Sequence, residues 1–452
     1  MTGAVTEIVR VRARATSRLF WQALAGVALC KILILFVLLP HLGTVAPGLY
    51  NLSAQDEYAD IASNLVAGRG YRADADTGET MLRTPGYPLL LAGIFAVAGE
   101  SVVAVQVFQL VLSLLAGWGV YRIALRVTES DTTAVLAAVV FLLYPPTILA
   151  ESREALELTF TACAVLFLAL FYRSLETFAY RDFALAGAAF GLTLLVRSTL
   201  AFVLPALFVY VLLMKSTRPA IARTTALFAT ASLAALLVMS PWIIRNYIVS
   251  GRPILTATTA PLATWEGLWM VEHSADGRTN QELVEDAIPE LTRIAEEAGL
   301  RVSPGEVPHF YSARDEVRYY DEVGRRVLAE LIASPKVVLK LVAYNAWSFW
   351  ISGRTAKATL LNAILVVPFL LLALLGAVWG ARNGNRVAPV VVLIIAYYLP
   401  HLVFLGTTRY HAPLAPFLAI LVAVAIADLT RRLVRQRKDQ DAGDAAARVV
   451  RG

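Results

Sequence analysis

Long apolar runs with little or no charge recur along the whole chain. A helix needs roughly 20 apolar residues to cross a bilayer core. The runs predict ten transmembrane helices: Leu19–Pro40, Val102–Tyr121, Thr133–Leu149, Leu156–Tyr172, Phe183–Val196, Thr199–Met214, Thr225–Trp242, Leu360–Gly380, Val387–Leu405 and Leu414–Leu429. Two shorter runs, Pro88–Gly99 and Val337–Ile351, predict interfacial or re-entrant helices.

Clusters of Lys and Arg lie at alternate ends of these runs, on the side of the N-terminus. The clusters begin at Arg10, Arg122, Arg173, Lys215, Arg382 and Arg431. Short cytoplasmic loops collect Lys and Arg, so ten spans with both termini in the cytoplasm satisfy every cluster. We therefore expect a multi-pass protein of a bacterial inner (plasma) membrane, with two long segments, 41–87 and 243–357, outside.

This orientation predicts four regions. Residues 1–242 form an N-terminal transmembrane module that contains the first external loop (41–87), and residues 243–357 form an extracytoplasmic segment with an interfacial helix. Residues 358–430 hold the C-terminal transmembrane helices, and 431–452 a basic cytoplasmic tail. Between Glu266 and Glu330 the chain carries 15 acidic and 7 basic residues, and helical patterning at 281–299 and 311–332 indicates a small, mainly helical external domain.

Composition agrees with a membrane protein and argues against a nucleic-acid binder. The chain is 58% hydrophobic and 16% charged, whereas soluble domains carry roughly 25% charged residues. The net charge of +6 comes from basic clusters between apolar runs, where they act as topology signals. The two cysteines, Cys30 and Cys163, lie in separate apolar runs, and the histidines show no metal-ligand spacing.

Ionisable residues gather at the outer ends of the predicted spans, and charges near a membrane are functional candidates. The acidic candidates are Asp56, Glu57, Glu151, Glu154 and Glu157, and the arginines are Arg83, Arg245 and Arg409. Each has a structural alternative, because an aspartate can cap a helix, an arginine can snorkel to headgroups and a glutamate can face water. Together they favour a reaction, since arginines bind phosphate and a carboxylate can accept a proton from a hydroxyl.

The outer segments resemble the glycosyltransferases that use polyprenyl-phosphate sugars, namely glycosyltransferase family 39 with its protein O-mannosyltransferase and aminoarabinose transferase members. The matching motifs are Asp56-Glu57-Tyr58, Gly68-Arg69-Gly70-Tyr71, Arg83-Thr84-Pro85-Gly86-Tyr87-Pro88, Pro241-Trp242 with Arg245-Asn246, and Arg409-Tyr410 with Pro413 and Pro416. For the family's second external acid, Glu154 is the best match, and Glu151 and Glu157 compete with it. The insert between Glu266 and Glu330 matches no signature of the family.

The resemblance implies an all-α GT-C-like bundle and an inverting sugar transfer to an extracytoplasmic acceptor. Asp56 becomes the candidate general base, supported by Glu57, and Glu154 the second acid. The arginines at 83, 245 and 409 would hold the lipid phosphate. Supporting roles fall to Tyr58, Tyr87, Asn246 and Tyr410. No cofactor is identified with certainty; a divalent metal could share the phosphate-binding role, although ligand spacing does not support one.

Two other classes of function remain open at this point. A transporter or flippase of lipid-linked saccharides would also have many spans, but transporters tend to place charge near the bilayer midplane, whereas the acids here lie in external loops. Another lipid-phosphate-dependent transferase, such as a ligase or polymerase, would share the donor. The sugar and the acceptor, whether a cell-envelope glycan, a lipid or a protein, cannot be read from the sequence.

Overall fold

In a computed structural model, the chain is almost entirely helical. The structure describes residues 16–41, 57–152, 156–214, 219–273, 280–303, 308–353 and 355–451. In the first half the helices are α1 (Arg18–Leu33, continued by a π-helical turn Ile34–Leu38), α2 (Tyr58–Val66), α3 (Gly86–Ala98), α4 (Val102–Thr128), α5 (Asp131–Leu142), α6 (Pro145–Glu151), α7 (Glu157–Thr177), α8 (Tyr180–Val196), α9 (Val203–Leu213) and α10 (Ile221–Ser250).

The second half of the chain contains the helices of the predicted external domain and the last apolar helices. They are α11 (Ala260–His273), α12 (Asn280–Glu297), α13 (Ala313–Ala333), α14 (Pro335–Ile351), α15 (Ala356–Arg382), α16 (Ala388–Tyr398), α17 (Thr408–His411) and α18 (Ala415–Arg451). Short 3-10 turns are found at Ser198–Leu200, Leu399–Leu402 and Ala412–Leu414. Between α12 and α13 lie two short antiparallel strands, β1 (Val302–Ser303) and β2 (His309–Phe310).

Among the described helices, six are long and apolar enough to cross a membrane, namely the continuous helix Arg18–His41, α4, α7, α10, α15 and the helix Thr408–Gln440. A seventh span results if α5 and α6, which are bent by 54° where they meet, count as one. Three shorter apolar helices lie at Gly86–Ala98, Ser198–Leu213 and Ala388–Leu402. The predicted all-α membrane bundle is confirmed, whereas the count of ten spans stays a prediction.

Small residues let the bundle helices approach one another closely. A Cβ atom added at Gly187 of α8 would lie 2.0 Å from the Ala231 carbonyl oxygen of α10, and one at Gly376 of α15 would lie 1.8 Å from the Leu421 carbonyl oxygen of α18. Only glycine permits such contacts, and tight packing is what holds helices together where lipid removes the hydrophobic driving force. The α8–α10 and α15–α18 pairs are thus fixed elements of the bundle.

The external domain has its own apolar core. Its helices α12 and α13 match the two helical stretches that the sequence predicts, and α11 packs against both. Residues from these helices bury a common cluster that includes Leu268, Leu291, Ile294, Tyr319 and Val323. Leu82, from the first external loop, belongs to the same cluster. The loop and the external domain therefore share one hydrophobic core.

Candidate functional site

The first external loop forms an ion pair between Glu57 and Arg83. Both Nε and Nη2 of Arg83 donate to Oε2 of Glu57, at 3.0 and 2.8 Å. The guanidinium also lies 5.5 Å from the ring centroid of Tyr58, whose ring meets Tyr87 edge-on at 5.4 Å. The sequence motifs that begin at Asp56 and at Arg83 thus meet in space, with both tyrosines buried beside them.

Glu57 adopts a strained backbone conformation. It precedes α2 with φ 55° and ψ 10°, in the left-handed region that costs a non-glycine residue on the order of 1 kcal/mol. The other described non-glycine residues with positive φ, Glu129 and Phe178, follow the last residue of a helix, where this conformation is common. Glu57 has it at the beginning of a helix, so the surrounding contacts hold this carboxylate in place against a local cost.

A second cluster places two arginines around one carboxylate. Glu157, the first residue of α7, is buried and accepts a hydrogen bond from Nε of Arg409. Nη1 of Arg197 lies 3.5 Å from the same carboxylate oxygen, and its guanidinium stacks 4.4 Å from the ring centroid of Tyr410. The three charged side chains carry a formal surplus of one positive charge.

Neighbouring polar contacts position Arg409. The hydroxyl of Thr408 donates to the Ser352 carbonyl at 2.7 Å, at the end of α14. Asn345 of α14 donates to the Phe404 carbonyl at 2.7 Å and accepts from the Gly406 amide at 3.1 Å. These bonds satisfy the backbone of the turn before α17, so the interfacial helix predicted at Val337–Ile351 serves as its support.

The two clusters are joined through the backbone. The hydroxyl of Thr84, next to Arg83, donates to the Val196 carbonyl at 2.6 Å, and Val196 precedes Arg197. The phenol of Tyr71 donates to the carbonyls of Arg83 and Thr84, at 3.0 and 3.1 Å. The Glu57–Arg83 pair and the Glu157–Arg197–Arg409 cluster therefore flank one hydrogen-bonded junction, and we call them together the outer cluster.

Arg245 has a different set of partners. Its guanidinium donates to the carbonyls of Thr80 and Tyr71, at 2.7 and 3.4 Å, and pairs with Glu79 at 3.3 Å. It also lies between the rings of Tyr71 and Trp242, 5.3 and 5.0 Å from their centroids. Within the described part of the chain it makes no ion pair with the acids of the outer cluster, and its contacts hold the 71–80 turn against α10.

Asn246 lies beside Arg245 and is fully buried. Its side-chain amide donates to the Ile254 carbonyl at 2.9 Å, and its oxygen accepts from Arg245 at 3.2 Å. The bond to Ile254 ties the end of α10 to the segment that follows it. The predicted supporting role of Asn246 is thus compatible with its position, next to the loop rather than among the outer-cluster charges.

Lys31 and Glu151 form an ion pair inside the bundle. Both side chains have no exposed surface, and Lys31 also donates to the hydroxyl of Ser113. The sequence did not indicate that Lys31 pairs with Glu151, because their pairing depends on how α1 packs against α6. Of the three acids competing for the second acidic position, Glu151 is thereby committed to Lys31 and Glu157 to arginines.

Two of the predicted acids, Asp56 and Glu154, lie outside the described residues. Their predicted roles stay predictions. Arg197 is the residue that the sequence-based site left out. A signal for it existed, since it is a charged residue directly after an apolar run, but only the packing of α7, α8 and α17 shows that it faces Glu157.

Burial alters two carboxyl groups outside the bundle. The pKa of Asp60, in the first turn of α2, is raised by burial and further by the negative charge of Glu57. The pKa of Glu316 in α13 is raised by burial, although hydrogen bonds from Thr80, Thr258 and the Met81 amide oppose this shift. Glu316 links α13 to the first loop through the bonds from Thr80 and Met81, at 2.6 and 3.0 Å, and to the segment after α10 through the bond from Thr258, at 2.7 Å.

No group of three or more His, Cys, Asp or Glu side chains that could hold a metal ion is present in the described ranges. The histidines His401 and His411 are buried beside aromatic rings. The ring of His401 lies 5.1 Å from that of Tyr410, on which Arg197 stacks.

Residues 82–244 match the model of the family described as dolichyl-phosphate-mannose-protein mannosyltransferase. The matched stretch contains Arg83, Glu157, Arg197 and Arg245. No curated protein matches the chain.

Solved structures share the architecture at low sequence identity. The oligosaccharyltransferase of Archaeoglobus fulgidus, in complex with Zn and sulfate, has 14% identity and a TM-score of 0.53 over 91% of this chain. The same enzyme tethered to an acceptor peptide containing the NVT sequon has 14% identity and a TM-score of 0.55 over 93% of this chain. The chain spans about half the length of these structures, 49% and 50%.

ArnT from Cupriavidus metallidurans bound to undecaprenyl phosphate also matches, with 15% identity over 90% of this chain and 77% of its own, at a TM-score of 0.38. That score is too low to bear on the arrangement of residues. The fold is that of the GT-C membrane glycosyltransferases. The likeness to the oligosaccharyltransferase structures is a likeness of fold.

Proposed function

We propose that the protein is an inverting glycosyltransferase that moves a sugar from a polyprenyl-phosphate donor to an acceptor on the extracytoplasmic side. The observation that carries this proposal is the outer cluster, in which Arg197 and Arg409 share the carboxylate of Glu157. The Thr84–Val196 hydrogen bond joins the backbone next to Arg83 to the backbone next to Arg197. Guanidinium groups match phosphate geometry, so a site built on three arginines suits an anionic phosphate ligand.

The reaction requires a proton transfer from the acceptor and the departure of the lipid phosphate from the sugar. The acceptor hydroxyl attacks C1 of the sugar and loses its proton to a base, for which Asp56 is the candidate. The bond between C1 and the phosphate oxygen breaks, and the electron pair stays with the polyprenyl phosphate. The leaving phosphate gains negative charge as this bond breaks, so fixed guanidinium groups favour the transition state over the bound substrate.

Roles for individual residues follow. Arg83 and Arg409, joined by Arg197, hold the phosphate, and Glu57 keeps Arg83 in place before the donor binds. The sequence also assigned Arg245 to the phosphate, but because it donates to the carbonyls of the first loop, we propose that it holds this loop instead. Tyr58 and Tyr410 present ring faces to Arg83 and Arg197, and Tyr87 packs edge-on against Tyr58.

The test uses the full-length protein in lipid nanodiscs with radiolabelled polyprenyl-phosphate mannose, glucose or galactose and a cell-envelope fraction as acceptor source. Wild type should transfer label, and Asp56→Asn should lose on the order of 10²- to 10⁴-fold in rate, the usual contribution of a general base. Asp76→Asn is the matched control, since Asp76 is an exposed aspartate of the same loop.

Equal rates in wild type and Asp56→Asn would show that Asp56 is not the base. A wild-type protein that leaves every donor intact, yet moves the labelled donors across liposome membranes, would overturn the enzyme and favour a transporter.

A further inference from the structure

One imidazole of the external domain, that of His309, lies next to the outer cluster. Nε2 of His309, in β2, lies 3.8 Å from Oε1 of Glu57, whose other oxygen binds Arg83. The side chains of His309 and Glu57 are only 17% and 14% exposed. In the described part of the chain this nitrogen is buried and has no hydrogen-bond partner. Buried polar atoms are normally paired, and an exception calls for an explanation.

Several contacts fix His309 in this place. Its strand pairs with β1 at Ser303, and the carbonyl of the next residue, Phe310, accepts from the Gly78 amide at 2.9 Å. Gly78 approaches so closely that a Cβ atom there would lie 2.6 Å from the Tyr311 carbonyl oxygen. The imidazole is therefore held by the docked loop and is not an incidental surface group.

The three hydrogen bonds of Glu316 reinforce the same contact. Its carboxylate receives the hydroxyls of Thr80 and Thr258 and the amide of Met81, so α13 is tied to the loop segment just before Arg83. The external domain and the Glu57–Arg83 pair consequently form one unit. Residues of the external domain can take part in the site without a large movement.

We propose that Nε2 of His309 and Oε1 of Glu57 together bind one hydroxyl group of the acceptor. This rests on the proposed function. A separation of 3.8 Å is too long for a direct hydrogen bond, and a hydroxyl oxygen about 2.8 Å from each atom would bridge the two once the side chains that cover Nε2 move aside. Nε2–H donates to the hydroxyl oxygen, and the hydroxyl donates its hydrogen to the carboxylate.

The geometry favours the acceptor over the donor as the source of this hydroxyl. Oε2 of Glu57 faces Arg83, on the side proposed for the lipid phosphate, whereas Oε1 faces His309 and the external domain. The acceptor arrives from the aqueous side, which is the side of that domain. The preferred acceptor is therefore a hydroxyl compound such as a glycan, with His309 as a substrate-binding residue.

The test separates transfer to the acceptor from transfer to water. Wild-type protein in nanodiscs is supplied with the radiolabelled polyprenyl-phosphate sugar, of the three named above, that it turns over fastest, with and without the envelope fraction. Label in the envelope polymer measures transfer, and free sugar measures hydrolysis. His309→Phe should lower transfer roughly 10-fold or more, because one hydrogen bond near a charged group is lost, and should change hydrolysis less than threefold.

His309→Gln is the conservative variant, since its side-chain amide can place an N–H near the position of Nε2. It should recover transfer to within about threefold of wild type. Unchanged partition of label between polymer and water in His309→Phe would overturn the proposal. An equal loss of transfer and hydrolysis in both variants would also overturn it and assign His309 a structural role. A wild-type protein without transfer or hydrolysis would instead overturn the proposed function, so the two failures are distinguishable.

Discussion

Two charged clusters of this protein have similar chemistry and opposite settings. The pair Lys31–Glu151 lies inside the bundle, has one cation for one anion and exposes no side-chain surface. The cluster at Glu157 has two arginines for one carboxylate, and the side chain of Arg409 is 34% exposed. The inner pair is electrically neutral and closed to solvent. The cluster at Glu157 is open to its surroundings through Arg409.

The difference shows how to separate a structural ion pair from a binding site. A buried charge must be compensated by its own partner, and removing that partner leaves a penalty of several kcal/mol. A ligand cannot reach Lys31 without opening the bundle. At the outer cluster an arriving phosphate can share guanidinium groups that already face a carboxylate, so we expect activity to depend on the outer cluster and folding to depend on the inner pair.

The largest expected effect is on stability, at the inner pair. Lys31→Met should destabilise the protein by about 3–5 kcal/mol, because Glu151 is left as a buried charge without its partner. Thermal unfolding in detergent measures the loss. The double variant Lys31→Met with Glu151→Met should recover most of it, since both charges are then gone. A double variant as unstable as the single one would mean that packing, and not charge, holds α1 to α6.

A comparable effect, this time on rate, is expected at the outer cluster. Arg83→Gln and Arg409→Gln should each lower sugar transfer on the order of 10²- to 10³-fold, the usual cost of one lost donor at a developing charge. Their unfolding temperatures should stay close to that of wild type, because both arginines are partly exposed. Arg293→Gln, which changes an exposed arginine of α12, is the control. A similar loss of sugar transfer in Arg293→Gln would show that the effect is not specific to the outer cluster.

A smaller effect is expected at Arg245. A variant there tests whether this arginine binds the lipid phosphate or holds the first loop. Arg245→Lys keeps the charge but loses the planar fork that binds the carbonyls of Thr80 and Tyr71. The first loop should open more readily, by about 1–3 kcal/mol, and limited proteolysis within residues 67–80 should speed up accordingly. Binding of undecaprenyl phosphate should weaken less than threefold. A loss as large as in Arg409→Gln would place Arg245 among the phosphate ligands after all.

The smallest expected effect concerns pH. Because burial raises the pKa of Glu316 in the folded protein, its contribution to stability is fully present below its ordinary pKa of about 4.5 and is lost as pH rises through the raised value. Glu316→Gln has no such titration. Hydrogen exchange in α13 should therefore show wild type gaining protection relative to Glu316→Gln as pH falls toward 4.5. A difference between the two that is independent of pH would contradict the shift.

The parts of this molecule that depend on local sequence pattern could be predicted from the sequence. The apolar runs gave the helices, and the spacing in the external segment gave α12 and α13 to within a few residues. The motifs that hold Glu57 and Arg83 were found because they are contiguous. Arg197 and Lys31 were not placed, since their partners lie 40 or more residues away and are chosen by helix packing. His309 was dismissed for lack of metal-ligand spacing, although its relevant neighbour is a carboxylate from another region.

The sequence alone does not distinguish the three candidate arginines from one another. Arg83, Arg245 and Arg409 all lie at outer ends of apolar runs, and nothing local distinguishes them. In the structure, Arg83 and Arg409 each hydrogen-bond a carboxylate, whereas Arg245 donates to two backbone carbonyls in addition to its ion pair with Glu79. A carboxylate can be exchanged for a phosphate without leaving a backbone group unpaired. Loss of Arg245 from the loop would take the side-chain donor from the Thr80 carbonyl, whereas the Tyr71 carbonyl would keep the Thr80 amide at 3.0 Å.

The most direct test of the phosphate site is a measurement of affinity for undecaprenyl phosphate, the lipid phosphate alone. It is made in nanodiscs containing wild type, Arg83→Gln, Arg409→Gln or Arg245→Lys. We expect saturable binding to wild type, and an affinity that falls roughly 10- to 100-fold in each of the first two variants, since a charged hydrogen bond to phosphate is lost. The affinity of Arg245→Lys should change little. Equal affinity in wild type, Arg83→Gln and Arg409→Gln would contradict the assignment of the lipid phosphate to the outer cluster.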